Sequence, residues 1–283
     1  MTYLSRRALF LSFVIVILSA CAAAATDKAA ATLLVKDGLT SPNQPVTVDA
    51  KLVANGLLTN SALGGEPLQL LVDGKVVAMA MTGGDGKASL SYMPKAQGVM
   101  PLQIRLGNSP RVAPTEGQGH LAVWERRNPI LVVEMAALMQ EPVPLPAVGL
   151  KIESERKPLP DAAEELGKLT QFYYRVIYAL PSLTGVDSFR ATVEAREWLK
   201  THKFPLGYVL VLPPGEGALG NKIDELRAAG WTTLKVGIGR TKPFAEAFLQ
   251  RRLDAVIVPE PAKAETPRKA KVAKDWKEVR KKL

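Results

Sequence analysis

The chain has 283 residues, a formal net charge of +10 and 47% hydrophobic residues. That length suits two domains with real cores rather than one small one. A single cysteine excludes an intramolecular disulfide, and with only two histidines the metal-ligand inventory is poor.

In chain order, the first 21 residues, "MTYLSRRALFLSFVIVILSAC", have a short charged start (Arg6, Arg7) and then an apolar run from Ala8 to Leu18. This is the pattern of an export signal, and the run is short for a permanent membrane span. It ends in Leu18-Ser19-Ala20-Cys21, which resembles the lipobox of bacterial lipoproteins. The resemblance implies a signal peptide over 1–20, cleavage before Cys21, and lipidation of its thiol. Ala22 then favours the outer membrane, facing the periplasm, over retention at the inner one. The competing possibility is an ordinary secretory signal, or an anchor helix, with a bystander cysteine.

Residues 21–30, small and polar, read as a tether. From 31 to 127 short alternating stretches are separated by turn residues: "VTVDAKLVA", "PLQLLVDGKVVAMAM", "TGGDGKASLSYMP", "VMPLQIRL" and "HLAVWE". Asp73-Gly74 is a strong hairpin signal. About seven such strands, with no helical period, predict a β-sandwich. The segment "GEPLQLLVDGKVVAMAMTGGDGKASLSYMPKAQG" resembles bacterial immunoglobulin-like domains of cell-surface proteins, which implies an all-β immunoglobulin-like sandwich.

After Arg127 the rhythm changes. The strand "ILVVE" precedes a proline-rich stretch, "EPVPLPAVGL", that cannot hold a regular helix. Helices expected at 160–169, 188–201, 219–229 and 242–252 then alternate with the apolar strands "YRVIYAL", "GYVLVL", "TLKVGI" and "DAVIV". Such alternation predicts an α/β doubly wound, Rossmann-like domain over 128–261, its parallel sheet covered on both faces. Residues 262–283 carry nine Lys or Arg against three Asp or Glu. They read as a solvated, mobile basic tail, with contact to anionic lipid or envelope polymer as the alternative. Nucleic acid is not the expected partner, because the tail lacks aromatic interleaving and no zinc spacing is present.

In such a sheet, chemistry sits just beyond the carboxyl ends of the strands. Those positions hold Glu134-Met135-Ala136, Leu180-Pro181-Ser182, Pro213 to Lys222, and Gly239-Arg240-Thr241. Metal-assisted phosphoryl transfer wants several carboxylates converging on magnesium, with a nucleophile and an acid. Only Glu134 is acidic among the immediate strand ends.

Residues 128–260 resemble the haloacid dehalogenase (HAD) superfamily of phosphohydrolases, nearest its lipin-like branch. The carriers are "RATVEAREWLKTHKFPLGYVLVLPP", with Arg196, Trp198, Leu199, His202, Phe204 and Pro205, then "GNKIDELRAAGW" and "VGIGRTKPFAEAF". The resemblance implies an Asp-x-Asp nucleophile and acid where this chain has Glu134 and Ala136. It implies a phosphate-binding Thr or Ser where Leu180 stands, with Ser182 near, and a phosphate lysine at Lys222. Magnesium ligands would fall on Arg240 or Phe244. Ala136 cannot protonate a leaving group, and a cation at Arg240 repels a metal. The chain therefore reads as a lipid-anchored, non-catalytic HAD-like envelope protein without a cofactor, acting in binding or scaffolding of an envelope protein or polymer. Lys222 and Arg240 are its candidate anion contacts. The alternative is a surface-anchored phosphatase with altered residues, which would use Mg2+.

Other signals weigh less. "GEGALG", Gly215 to Gly220, matches G-x-G-x-x-G but lies off the first strand, after Pro213-Pro214. His120 and His202 fall in different domains, His202 reads as a helix-end residue, and Trp198 and Phe204 read as core anchors.

Overall fold

Alternating apolar and polar residues build nine strands in the computed structural model, which describes residues 28–56, 61–140, 156–181, 186–261 and 266–283. They are β1 (Ala31–Val35), β2 (Gly38–Thr40), β3 (Val46–Ala54), β4 (Ser61–Ala62), β5 (Pro67–Val72), β6 (Lys75–Met81), β7 (Lys87–Tyr92), β8 (Gly98–Leu106) and β9 (Glu116–Val123). In one sheet β3 pairs antiparallel with β1, β4 and β7; the other runs β2-β9-β8-β5-β6. Val48, Ala50 and Leu52 of β3 point inward, two residues apart, as the pleat requires. They meet Leu68, Leu70, Leu102, Ile104 and Leu121 of the facing sheet, so the first unit is an all-β sandwich with its own core. Asp73 and Gly74 both take positive φ (49° and 74°), the hairpin turn their sequence predicts. The tether expected over 21–30 already meets the sandwich at its end: Lys28 Nζ donates to Ser109 O at 2.8 Å, and Ala29 bridges to Val112.

The second unit holds β10 (Ile130–Glu134), a 3-10 turn (Met135–Leu138), α1 (Ala162–Phe172), β11 (Arg175–Pro181), α2 (Ser188–Thr201) and β12 (Tyr208–Leu212). α3 (Ala218–Ala228), β13 (Leu234–Gly239), α4 (Lys242–Leu249), β14 (Asp254–Ile257), β15 (Lys271–Val272) and α5 (Trp276–Lys282) follow. The six strands are all parallel, in the order β12-β11-β10-β13-β14-β15. Numbered within this unit the order is 3-2-1-4-5-6, that of doubly wound sheets. Leu131 and Val133 face α1, α2 and α5 through Leu166, Trp198 and Trp276. Ile130 and Val132 face α3 and α4 through Ile223, Phe244 and Phe248. Burial on both faces is why these strands read as unbroken apolar runs.

The C-terminal segment corrects the expectation of a mobile basic tail. Among residues 266–283, β15 extends the sheet beside β14, and α5 packs beneath it. Ala273, Trp276 and Val279 are buried, and the Trp276 indole N–H donates to Ala137 O at 2.9 Å. Asp275 caps the helix by accepting from Glu278 N. Arg280, Lys281 and Lys282 fill its last turn, where the helix dipole favours cations. A charge count hides this, because Trp276 and Val279 are few but share one helical face.

The two units are fastened together. Asp37, in the turn between β1 and β2, has a wholly buried side chain. It accepts from Arg196 Nη1 at 2.6 Å, His120 N at 3.0 Å and Val209 N at 3.3 Å. Arg196 projects from α2 and also donates to Gln118 O of β9. A second ion pair joins Lys51 of β3 to Asp187, the N-cap of α2. Beside these, Ala122 and Trp124 share an apolar cluster with Ile130 and Leu234.

Candidate functional site

A doubly wound sheet opens its ligand crevice where the chain order reverses, beyond the strand carboxyl ends. Here the reversal falls between β10 and β13, so Glu134-Met135-Ala136 faces Gly239-Arg240-Thr241. Glu134 ends β10 and is buried. Its Oε2 accepts from Arg240 N at 2.6 Å and Thr241 N at 3.0 Å, and its Oε1 accepts from the Thr241 hydroxyl at 2.7 Å. Thr241 is the N-cap of α4 and accepts from Phe244 N at 3.4 Å. The carboxylate thus reinforces a helix N-terminus, where negative charge is favoured. Both of its oxygens are engaged inside the protein.

The Arg240 side chain turns back over the other wall. Nη1 donates to Met139 O at 2.7 Å and Ala136 O at 3.3 Å, and Nη2 donates to Gln140 O at 3.2 Å. These carbonyls lie within and after the 3-10 turn, where backbone acceptors lack partners of their own. Burial pulls the guanidinium below its ordinary value, opposed by the Glu134 charge. Ala136 contributes only its carbonyl. Leu180 packs against the α1/α2 core. Phe244 is a core ring: a Cβ on Gly239 would lie 2.2 Å from it, and one on Gly237 would lie 2.6 Å from Phe248. The glycines of "VGIGRTKPF" therefore make room for two phenyl rings on β13.

Lys222 lies on α3, which follows the edge strand β12, and its amine pairs with Glu225 at 2.6 Å. The two cations expected to hold an anion have separate partners, and no contact joins them among the described residues. Among those residues no group of three or more His, Cys, Asp or Glu is placed to hold a metal. Magnesium would find Glu134 as the acidic group of this crevice, already accepting from three donors. The residues present do not fit that ion. Cys21 and Ser182 lie outside the described residues.

No family model matches the chain, and no curated protein matches it. Among solved structures it is similar to the D00-D0 domain of intimin, at 14% identity over 33% of this chain and 46% of that one, with a TM-score of 0.24. The chain thus spans less than half of that intimin structure. It is similar also to titin domain M7 (10% identity, 34% and 96% covered, TM-score 0.25). The Clostridium thermocellum CbhA fibronectin(III)-like modules are a third likeness (11% identity, 32% and 95% covered, TM-score 0.23). These are immunoglobulin-like and fibronectin-like β-sandwich domains. At such identities the likeness concerns fold alone and says nothing of activity.

The glycine-rich stretch has a packing reason. Gly217 is the left-handed N-cap of α3, and a Cβ on Gly220 would fall 2.5 Å from the Arg251 guanidinium, which grips Asp224 through two bonds of 2.8 and 2.7 Å. His202 ends α2 against Trp198, whose N–H donates to Arg156 O and whose ring stacks on Phe204. Sequence reasoning missed Asp37 and Gln118, the partners of Arg196. Nothing local marks them, since an Asp-Gly pair between strands is ordinary turn chemistry.

Proposed function

We propose that this chain is a lipid-anchored envelope protein that binds or scaffolds, its α/β unit a HAD-like domain without catalysis. The observation that carries this is the Glu134 carboxylate, held by Arg240 N, Thr241 N and the Thr241 hydroxyl. A nucleophile needs a lone pair facing a substrate, and a general acid needs a proton; Glu134 is internally bonded and Ala136 has no proton to give. The HAD-like assignment is supported by Arg196, Trp198, Leu199, His202, Phe204 and Pro205 in sequence, together with the strand order. The fixed pairing of Arg196 with Asp37 suits a rigid two-part binding body.

The test is hydrolysis of p-nitrophenyl phosphate with magnesium by the purified protein. No turnover is expected, and turnover that disappears in Glu134→Gln would overturn the proposal. Glu134→Ala is instead expected to cost about 1.5–3 kcal/mol of stability, the range for hydrogen bonds to a charged group, read from urea unfolding. The anchor rests on Cys21, and Cys21→Ser should move the protein from the membrane to the soluble exported fraction. A variant that stays membrane-bound and unprocessed would sink the lipoprotein assignment.

A further inference from the structure

β6 and β7 follow one another in the chain, and each lies at an edge of its sheet. A free edge presents unpaired N–H and C=O groups, and folded proteins ordinarily guard it with charge or proline. β7 has an exposed polar outer face of Lys87, Ser89 and Ser91. β6 is different. Its one charge is Lys75, the first residue, and it contains no proline. Val76 and Val77 are each more than 40% exposed, Met79 is 63% exposed and Met81 59%. Ala78 and Ala80 pack against the sandwich core, so Met79 and Met81 stand together on the outer face. Among the described residues no strand pairs with the outer edge of β6. An exposed apolar strip of this kind marks an interaction surface, and methionine adapts its shape to a partner.

Charge decides what the edge receives. The chain carries +10, so an acidic partner is drawn to its cationic surfaces rather than to a neutral strand. A second copy carries the same +10 and is repelled except where charge is sparse. The edge of β6 is such a place. The register shift between β5 and β6 falls at Val77, which leaves Ala78 to Met81 as the regular stretch. Two such edges, antiparallel about a two-fold axis at Met79, set Met79 against Met79, Ala78 against Ala80 and Val77 against Met81. Lys75 then faces Gly83 of the other copy, and the two Lys75 are roughly 27 Å apart along the strands. On the outer face Met79 neighbours Gln69 of β5, and Gln69 neighbours Arg105 of β8. Five strand spacings, roughly 24 Å, therefore separate the Arg105 residues of two copies. Both separations exceed the screening length of about 8 Å at physiological salt.

We propose that this chain forms a two-fold dimer by joining its β6 edges, so that one sheet runs on through both sandwiches. The surface is self-complementary, as a closed two-fold interface requires. It is remote from the crevice at Glu134 and does not depend on whether Cys21 carries lipid.

The test uses the full chain with Cys21→Ser, which removes its one thiol. Sedimentation equilibrium should show a concentration-dependent dimer. Met79→Lys sets two cations face to face at the axis and should weaken the dimer at least about tenfold. The site is exposed, so the thermal midpoint should hold. Met79→Cys in the same chain brings the two Cβ atoms to roughly 4.5–5.5 Å, near enough to be joined, and oxidation should yield a disulfide-linked dimer. Met93→Cys, equally exposed but outside β6, should yield little. A monomer at every concentration, a dimer that survives Met79→Lys unchanged, or equal cross-linking through positions 79 and 93 overturns the proposal.

Discussion

Trp276→Ala is expected to lower the stability of the second unit by about 3–5 kcal/mol, the range for removing a buried tryptophan. The ring is 1% exposed and belongs to the same core as Leu131, Val133 and Trp198. Its loss opens a cavity beneath β10 and leaves the Ala137 carbonyl without the indole N–H. Deleting residues 266–283 should cost more, because β14 then loses its neighbour β15 and the α1 face loses α5. Lys281→Ala, an exposed change in the same helix, should stay within about 0.5 kcal/mol. Urea unfolding followed by far-UV circular dichroism reads all three. A truncated protein that unfolds at the midpoint of the full chain would show that the segment contributes nothing to the fold.

That result bears on what sequence can convey. Periodicity located the strands and helices of the α/β unit well: the helix expected at 188–201 is Ser188–Thr201, and the strand "ILVVE" is Ile130–Glu134. Those signals are local, a burial pattern repeated within one element. The C-terminal segment fails that test because only a few apolar residues, Ala273, Trp276 and Val279, are buried among its cations, and the carbonyl that receives the Trp276 N–H lies 139 positions earlier. Glu134 is legible as a strand-end carboxylate. Its engagement with Arg240 and Thr241 is not, since it depends on β10 and β13 lying side by side. Arg196 is the same kind of case. The sequence offers it as part of a helix pattern, whereas the structure spends its guanidinium on a residue 159 positions earlier.

Asp37→Ala is expected to destabilise the protein by about 3–5 kcal/mol, because it leaves the Arg196 guanidinium buried without its counter-charge. The His120 and Val209 N–H groups lose their acceptor in the same step. If the cost lies in the stranded charge, Asp37→Ala combined with Arg196→Met should recover much of it, since an apolar replacement removes the need for a partner. Arg196→Lys should not substitute for the wild type, because one ammonium cannot reproduce the planar fork that reaches Asp37 and Gln118 together. His120 sharpens the test. Burial holds its imidazole below the ordinary value of 6.5, with the Asp37 charge opposing that shift. The folded state therefore resists protonation, and stability present above pH 6.5 is lost as pH falls through the lowered folded-state value. Asp37→Ala removes the opposing charge, so the imidazole should titrate lower still by NMR. Calorimetry gives the second readout: separation of one unfolding transition into two in Asp37→Ala marks the ion pair as the clasp between the units. A single transition at the wild-type midpoint would mean that the apolar contacts around Trp124 hold the junction without it.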